Sequence, residues 1–386
     1  MMWRAVVSAV LLAAATIASA QSRPTASDID AELAAVAKQT GARGIAMAVI
    51  RDGVVEHVRT YGERNAQGAP LQDATIMYGA SITKAAFAHM VMQLVEAGTL
   101  DLDTSIASYL PRPLPSYPTE EKYAPWSDLQ GDERWRRLTP RILLTHASGF
   151  SNFAFIEPDG KLRFHFNPGA RYAYSGEGMI LLQFVLEQGL GLDVGDQMQR
   201  RVFDRFGMPN TSMIWRASFA SNLADGWKAD GTVEPHDERS KVRAAGSMDT
   251  TIADIARFAA GYVRGDGLSA RGRAELTRPQ LPITTASQFP SLQPELPAAR
   301  RRAGLAAGLG VISFDGPQGR GFFKGGHNDS TGNTWVCVEK RRDCVVILAN
   351  DVRAEPAFPR LVEFAIGNSG VPWDWEYGDM TFPKRP

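Results

Sequence analysis

The stretch from Ile82 to Ala97 contains no proline or glycine, is made mostly of strong helix formers, and stops at Gly98, a residue type suited to the left-handed position that ends a helix. Apolar side chains occupy almost every side of it, at Ile82, Phe87, Met90, Val91, Leu94 and Val95. Such a helix has no face to offer water, so the rest of the chain must enclose it. A polar pair stands at its tip: Ser81 and Lys84 share a helical face at i, i+3. Ser81 is of a good N-cap type. A helix N-terminus offers unpaired N–H groups and a partial positive charge of about half a unit, which would stabilise an oxyanion forming beside the serine hydroxyl. A desolvated lysine can lose its proton near neutral pH and act as a base. The competing reading is an N-cap serine followed by a solvated lysine, and a lone SxxK does not decide between them.

Strand-like runs lie at both ends of the chain. GIAMAVIRDG and VVEHVRTYGER are joined by Arg51-Asp52-Gly53, an Asp-Gly hairpin signal. Beyond Ser247 come a helix (TTIADIARFAAGYVRG), a Pro-rich basic connection over Arg278 to Arg302, further strand-like runs ending at DCVVILAN, and a last helix at PAFPRLVEFAIG. The middle is helical and loop-rich, with a short helix expected from Pro140 and another over Met179 to Gln188. The segment from Pro111 to Arg137 reads as a long surface loop whose Trp126 and Trp135 pack it onto the body. This order predicts an α+β protein in which residues 21–76 and 246–386 form one discontinuous α/β domain around an antiparallel sheet, residues 77–245 form an inserted helical domain, and the site lies between them.

The 386 residues balance 42 basic against 42 acidic side chains, so nothing in the charge argues for a nucleic-acid or acidic partner. The start, MMWR followed by AVVSAVLLAAATIASA, has the charge, short apolar run and small residues of a secretory signal peptide over residues 1–20, cleaved after Ala20. No later segment is apolar enough to span a membrane, and the mature protein is expected in a secreted or periplasmic compartment. The only cysteines, Cys337 and Cys344, would face each other if two strands fold back around Lys340-Arg341. Export permits a cross-strand disulfide there, with two buried thiols as the alternative.

A nucleophile and base at Ser81 and Lys84 need partners from elsewhere. Tyr174, in NPGARYAYSGEGM, could share their proton, and Gly325-Gly326-His327-Asn328-Asp329-Ser330 could bring a backbone and a histidine close to a ligand. Taken alone, these also read as a buried hydrogen-bonded tyrosine and a tight polar turn. Together with Ser81-Ile82-Thr83-Lys84, however, they stand in the order seen in the serine hydrolases that include class C β-lactamases, DD-peptidases and their related esterases. LLTHASGF (Leu143–Phe150), NPGARYAYS (Asn167–Ser175), FGMPNTSM (Phe206–Met213) and GSMDTTIADIARF (Gly246–Phe258) also resemble that family, and the likeness runs from about Ala31 to about Gly367.

The resemblance implies a β-lactamase/transpeptidase-like fold and acylation of Ser81, with Lys84 and Tyr174 handling its proton and either of them as the formal base. It implies an oxyanion held between the Ser81 N–H and a strand N–H near Ser330, with His327 and Asn328 facing substrate. No cofactor and no metal ion enter this chemistry. Two departures bear on substrate. Gly176 stands where family β-lactamases and peptidases usually carry asparagine. The Lys-Thr-Gly element is matched to His327-Asn328-Asp329, with Lys324-Gly325-Gly326 as the other candidate. Both departures tilt the expectation toward an esterase or amidase on a small acyl substrate. The rivals are a β-lactamase or DD-peptidase acting on β-lactams or cell-wall peptides, and a binding protein that keeps the fold without turnover. There is no GxSxG elbow and no HExxH, the six histidines lack metal-ligand spacing, and His146 reads as a structural hydrogen-bonding residue.

Overall fold

A computed structural model of the chain describes residues 23–378 and Met380; the expected signal peptide lies outside the described residues. Helix α1 (Ala26–Thr40) is closed at its start by a capping box between Thr25 and Asp28, and at its end by Gly41 at φ 69°. The hairpin of β1 (Gly44–Arg51) and β2 (Val54–Gly62) follows. All of β1 is buried, as for a strand covered on both faces, whereas β2 is half exposed along its length, as for a strand at a sheet edge.

The other strands of the main sheet come from the far end of the chain: β3 (Leu281–Pro282), β4 (Ala306–Ala307), β5 (Ile312–Gly316), β6 (Gly319–His327), β7 (Gly332–Val338) and β8 (Asp343–Ala349). They form one antiparallel eight-stranded sheet in the order β2-β1-β8-β7-β6-β5-β4-β3. Thus β1 pairs with the last strand, Ile45 opposite Ala349 and Ile50 opposite Cys344.

Alternation along the strands sorts side chains to two faces. Ala46, Ala48, Phe322, Trp335 and Val346 point toward α2 (Thr83–Glu96) and α4 (Ile252–Arg264), where Phe87, Met90 and Phe258 meet them. Ile45, Met47, Phe323, Val336 and Val345 point the other way, against α1, α5 (Phe358–Ile366) and α6 (Trp373–Tyr377). Helix α3 (Gly176–Phe184) lies in the first of these cores. Every residue of α2 from Thr83 to Leu94 is buried, as its all-round apolar sequence demands. The Pro111 to Arg137 segment winds through short 3₁₀ turns and is pinned by Trp126 and Trp135, both buried, with the Trp126 ring 5.5 Å from that of Phe184.

The start of α2 differs from the sequence expectation. Residues Ala80–Ile82 form a 3₁₀ turn, the α-helix begins at Thr83, and the Ser81 side chain caps neither element. The Thr83 hydroxyl takes over the local bonding, donating to Ala80 O and accepting from the Met248 N–H. That leaves the Ser81 hydroxyl available to other side chains.

Cys337 and Cys344 are opposite each other on β7 and β8 and are joined by a disulfide, with Cα atoms 4.1 Å apart, so the buried-thiol alternative falls. The loop closed is short, and the chain-entropy argument gives a stabilisation of about 2–3 kcal/mol. Replacing both cysteines by alanine is expected to lower the urea-unfolding free energy by about that amount, and to leave ester hydrolysis unchanged, because neither sulfur lines the cleft described below.

Candidate active site

Ser81 sits where α2 meets the end of β6. The turn before it is held from the sheet: Asn333 on β7 donates its Nδ2 to Tyr78 O, and the Gly79 N–H donates to Met248 O. Ala80 adopts φ 45°, a left-handed conformation that costs an alanine about 1–2 kcal/mol. Strain of this kind, held in place by surrounding structure, is characteristic of functional turns.

Three side chains converge on or beside the Ser81 hydroxyl. Lys84 Nζ lies 2.9 Å from Ser81 Oγ and also donates to the Ala245 carbonyl. Tyr174 Oη donates to Ser81 Oγ at 2.8 Å. Lys324, projecting from β6, donates to Tyr174 Oη at 3.4 Å and to Gly325 O at 2.7 Å. All three partners are buried, Lys84 to within 1% of full burial. Desolvation, reinforced by the neighbouring Lys324 charge, holds the Lys84 amine well below the ordinary lysine range. Burial pushes the Tyr174 phenol above its usual value, so it is protonated at neutral pH. His146 stacks on the Tyr174 ring at 4.4 Å and hydrogen-bonds the Ser175 backbone; burial keeps it neutral, in keeping with a supporting part.

Ser81, Lys84, Tyr174 and Lys324 line a cleft of about 920 Å³. Phe153 and Phe155 stack at 5.1 Å on one wall, Phe289 packs against Tyr174 on another, and Phe155 and Phe289 are largely exposed. Arg239, Lys241 and Arg243 line a further side.

The strand residues are placed differently from the sequence expectation. Lys324, not His327, reaches Tyr174: it shares with Phe322 the sheet face that looks toward α2, while His327 falls on the opposite parity and pairs with Glu355 at 2.9 Å. Asn328 lines the cleft, but its Oδ1 accepts the Ser330 N–H within a turn. The Ser330 hydroxyl donates to Glu234 and opens on a neighbouring smaller cavity of about 260 Å³. Instead it is Gly326 that lies against the serine: a Cβ there would stand 3.1 Å from Ser81 N and 3.2 Å from Ile82 N, so a side chain would require the serine turn to shift by a few tenths of an ångström. Residues two apart present backbone groups to the same strand edge. The His327 N–H therefore shares the edge on which Gly325 O meets Lys324.

Gly176 has a related explanation. A Cβ at that position would fall 2.5 Å from the Phe153 ring, and the Gly176 N–H donates to Asn152 Oδ1 at 2.9 Å. An aromatic wall and a different amide thus occupy the space a longer side chain would need.

The family model described as beta-lactamase matches residues 29–365. The chain belongs to the beta-lactamase family. Among curated proteins it is similar to a lovastatin esterase of Penicillium rubens, 28% identical over 42% of this chain and 47% of that protein. It is 30% identical to a monacolin J acid methylbutanoyltransferase of Aspergillus terreus over 40% of this chain and 44% of that protein. To penicillin-binding protein 4 of Amycolatopsis lactamdurans it is 24% identical, over 61% and 62%. The matches therefore span about half of the first two relatives' length. Solved structures with the same fold include an octameric penicillin-binding protein homologue from Pyrococcus abyssi (TM-score 0.67, 18% identity, 86% of this chain and 74% of that one). Another is the D-alanine carboxypeptidase AmpC from Burkholderia cenocepacia (TM-score 0.66, 20% identity, 88% and 97%). The α+β architecture is accordingly that of the β-lactamase and penicillin-binding proteins.

Of two further cleft residues, Lys324 is the second candidate of the sequence reading and Glu376 escapes it. Lys324 lies two places after Phe322, on the parity of β6 that faces α2, but Phe323 is buried in the opposite core, so the sequence alone does not tell the two faces apart. Glu376 carries no signal: it arrives from α6, at the far end of the chain, and its place in the cleft depends wholly on tertiary packing.

Proposed function

We propose that this protein is an exported serine hydrolase that cleaves esters of apolar acyl groups through an acyl-enzyme on Ser81. The observation that carries the reading is the Ser81 hydroxyl held at 2.9 Å from the Lys84 amine and 2.8 Å from the Tyr174 phenol, all at the wall of one cleft. Buried and neutral, the Lys84 amine has a lone pair for the serine proton while an N–H still serves the Ala245 carbonyl. Ser81 Oγ then attacks the carbonyl carbon, and negative charge gathers on the carbonyl oxygen. The Ser81 and His327 backbone N–H groups are the donors we assign to that oxygen. Collapse expels the alcohol, which takes a proton from the Tyr174 hydroxyl or directly from Lys84, both of which flank Ser81 Oγ, and the proton taken from Ser81 restores the donor. Water then repeats the sequence on the acyl-enzyme and frees the acid.

Ester chemistry is favoured over β-lactam or peptide cleavage by the aromatic rim and by the Phe153 ring that fills the space beside Gly176. The similarity to one protein named an esterase and to another named for transfer of a methylbutanoyl group, a small apolar acyl, points the same way. The disulfide accords with an exported compartment, and no helix among the described residues is long and apolar enough to cross a membrane. The discriminating measurement is hydrolysis of p-nitrophenyl acetate and butyrate beside nitrocefin. Turnover of the esters, butyrate at least as well as acetate, with nitrocefin untouched is the expected result. Nitrocefin turnover of comparable efficiency would replace this reading with a β-lactamase. Silence on all three would leave a binding protein as the better account.

A further inference from the structure

Gly325 separates Lys324 from Gly326, and the space over it is not empty. A Cβ at residue 325 would lie 2.1 Å from Glu376 Oε1, so a carboxylate from α6 fills the volume that a side chain on the strand would otherwise take. Its position is built rather than incidental. Glu376 Oε2 accepts from Gln288 Nε2 at 2.8 Å, and Gln288 Oε1 in turn accepts from the Tyr172 hydroxyl at 3.1 Å. The Gln288 N–H donates to Trp375 O, and the fully buried Trp375 indole anchors α6 by donating to Thr285 Oγ1. Glu376 nonetheless lines the same cleft as Ser81, Tyr174 and Lys324.

The consequence is electrostatic. With Lys84 neutral, Lys324 is the buried cation nearest the reacting hydroxyls, and without a partner it would draw in anionic substrates. Glu376 is electrostatically coupled to it: burial pushes the carboxyl up and the amine down, and each favours the charged form of the other. Two opposite charges, or two neutral groups after the proton has passed across, present no net charge to an incoming ligand. A second carboxylate placed there would meet Glu376 at close range, and Lys324, already matched by Glu376, would not offset the repulsion; Arg239, Lys241 and Arg243 line another side of the cleft.

We propose that Glu376 is a specificity-determining residue which, by filling the space over Gly325 and cancelling Lys324, closes this flank of the cleft to substrates bearing a carboxylate and keeps it open to uncharged esters. The inference rests on the reading of Ser81 as nucleophile. It is tested without turnover by calorimetric titration with phenylboronic acid and its 3-carboxy and 4-carboxy derivatives, whose boron accepts the Ser81 oxygen as a fourth ligand.

The wild-type protein is expected to bind the uncharged boronate about tenfold or more tightly than either carboxylated one, a gap of about 1.4 kcal/mol. In Glu376→Gln that gap should shrink to about threefold or reverse. Gly325→Ser approaches the same point independently, since its new side chain must push the Glu376 carboxylate aside, and it should shift the ratio in the same direction; thermal unfolding of both variants confirms that they are folded. A ratio unchanged in folded Glu376→Gln and Gly325→Ser for both carboxylated isomers overturns the proposal while leaving Ser81 in place. Boronate binding undiminished in Ser81→Ala overturns the nucleophile reading instead.

Discussion

Ser81→Ala is expected to lower kcat for p-nitrophenyl butyrate by about 10⁴-fold or more, because removing a nucleophile that acts as a unit with its base leaves only binding and the oxyanion donors to act on substrate. Substrate binding should change little, since the cleft walls are untouched. Stability should also change little. The Ser81 hydroxyl bonds Lys84 and Tyr174 and caps no backbone N–H, so alanine orphans no main-chain group. The serine is half-buried at the cleft wall, and losing one oxygen there opens no enclosed cavity. Paired measurements of ester hydrolysis and thermal unfolding check both halves. Fluorophosphonate labelling, read by the mass of the peptide carrying Ser81, should disappear in the variant. Activity within tenfold of wild type would remove Ser81 from the mechanism.

The contrast between α2 and β6 shows what a sequence can and cannot disclose about such a site. The i, i+3 relation of Ser81 and Lys84 is a local property of the turn that leads into α2, and the all-round apolar pattern of α2 already required the burial that the structure gives it. Cys337 and Cys344 were placed opposite each other by a fold-back in which residue numbers sum to a constant, and that register is the one observed. By contrast, whether Lys324 or His327 faces Tyr174 depends on which face of β6 packs toward α2, and a run of glycines carries no hydrophobic alternation to reveal it. Phe322 and Phe323 flank the ambiguity, since each is buried, in opposite cores.

The Ser81 cap expectation failed for a related reason. N-cap preference describes what a serine does when nothing else competes for its hydroxyl, and here Lys84 and Tyr174 compete from different elements. Glu376 lies furthest from any local rule. Its relation to Gly325 exists only because the last helix folds back onto the cleft-bearing strand.

Lys84→Met should separate the chemical from the structural consequences of a buried amine. Methionine has nearly the length of lysine, fills the same volume and cannot accept a proton. Loss of a general base is worth about 10²–10⁴-fold in rate, and kcat/KM for the ester should fall by that order. In the wild type, activity should decline as pH drops through the pKa of Lys84, because an ammonium has no lone pair for the Ser81 proton; the variant's residual activity should lack that acid limb. Lys324→Met should move the limb to higher pH, since the Lys324 charge contributes to holding Lys84 low. An acid limb shared by wild type and Lys84→Met would remove Lys84 as the base.

The stability effect runs the other way. The folded-state pKa of Lys84 lies well below its unfolded value of about 10.4, so between the two the unfolded chain binds the extra proton and stability rises with pH. At neutral pH the buried lysine is therefore a cost that methionine removes, set against about 1 kcal/mol for the donor lost by the Ala245 carbonyl. Thermal unfolding should show Lys84→Met above wild type at pH 7, with the gap narrowing as pH approaches 10. A gap independent of pH across that window would mean that Lys84 is charged in the folded protein, and the mechanism would then need a different base.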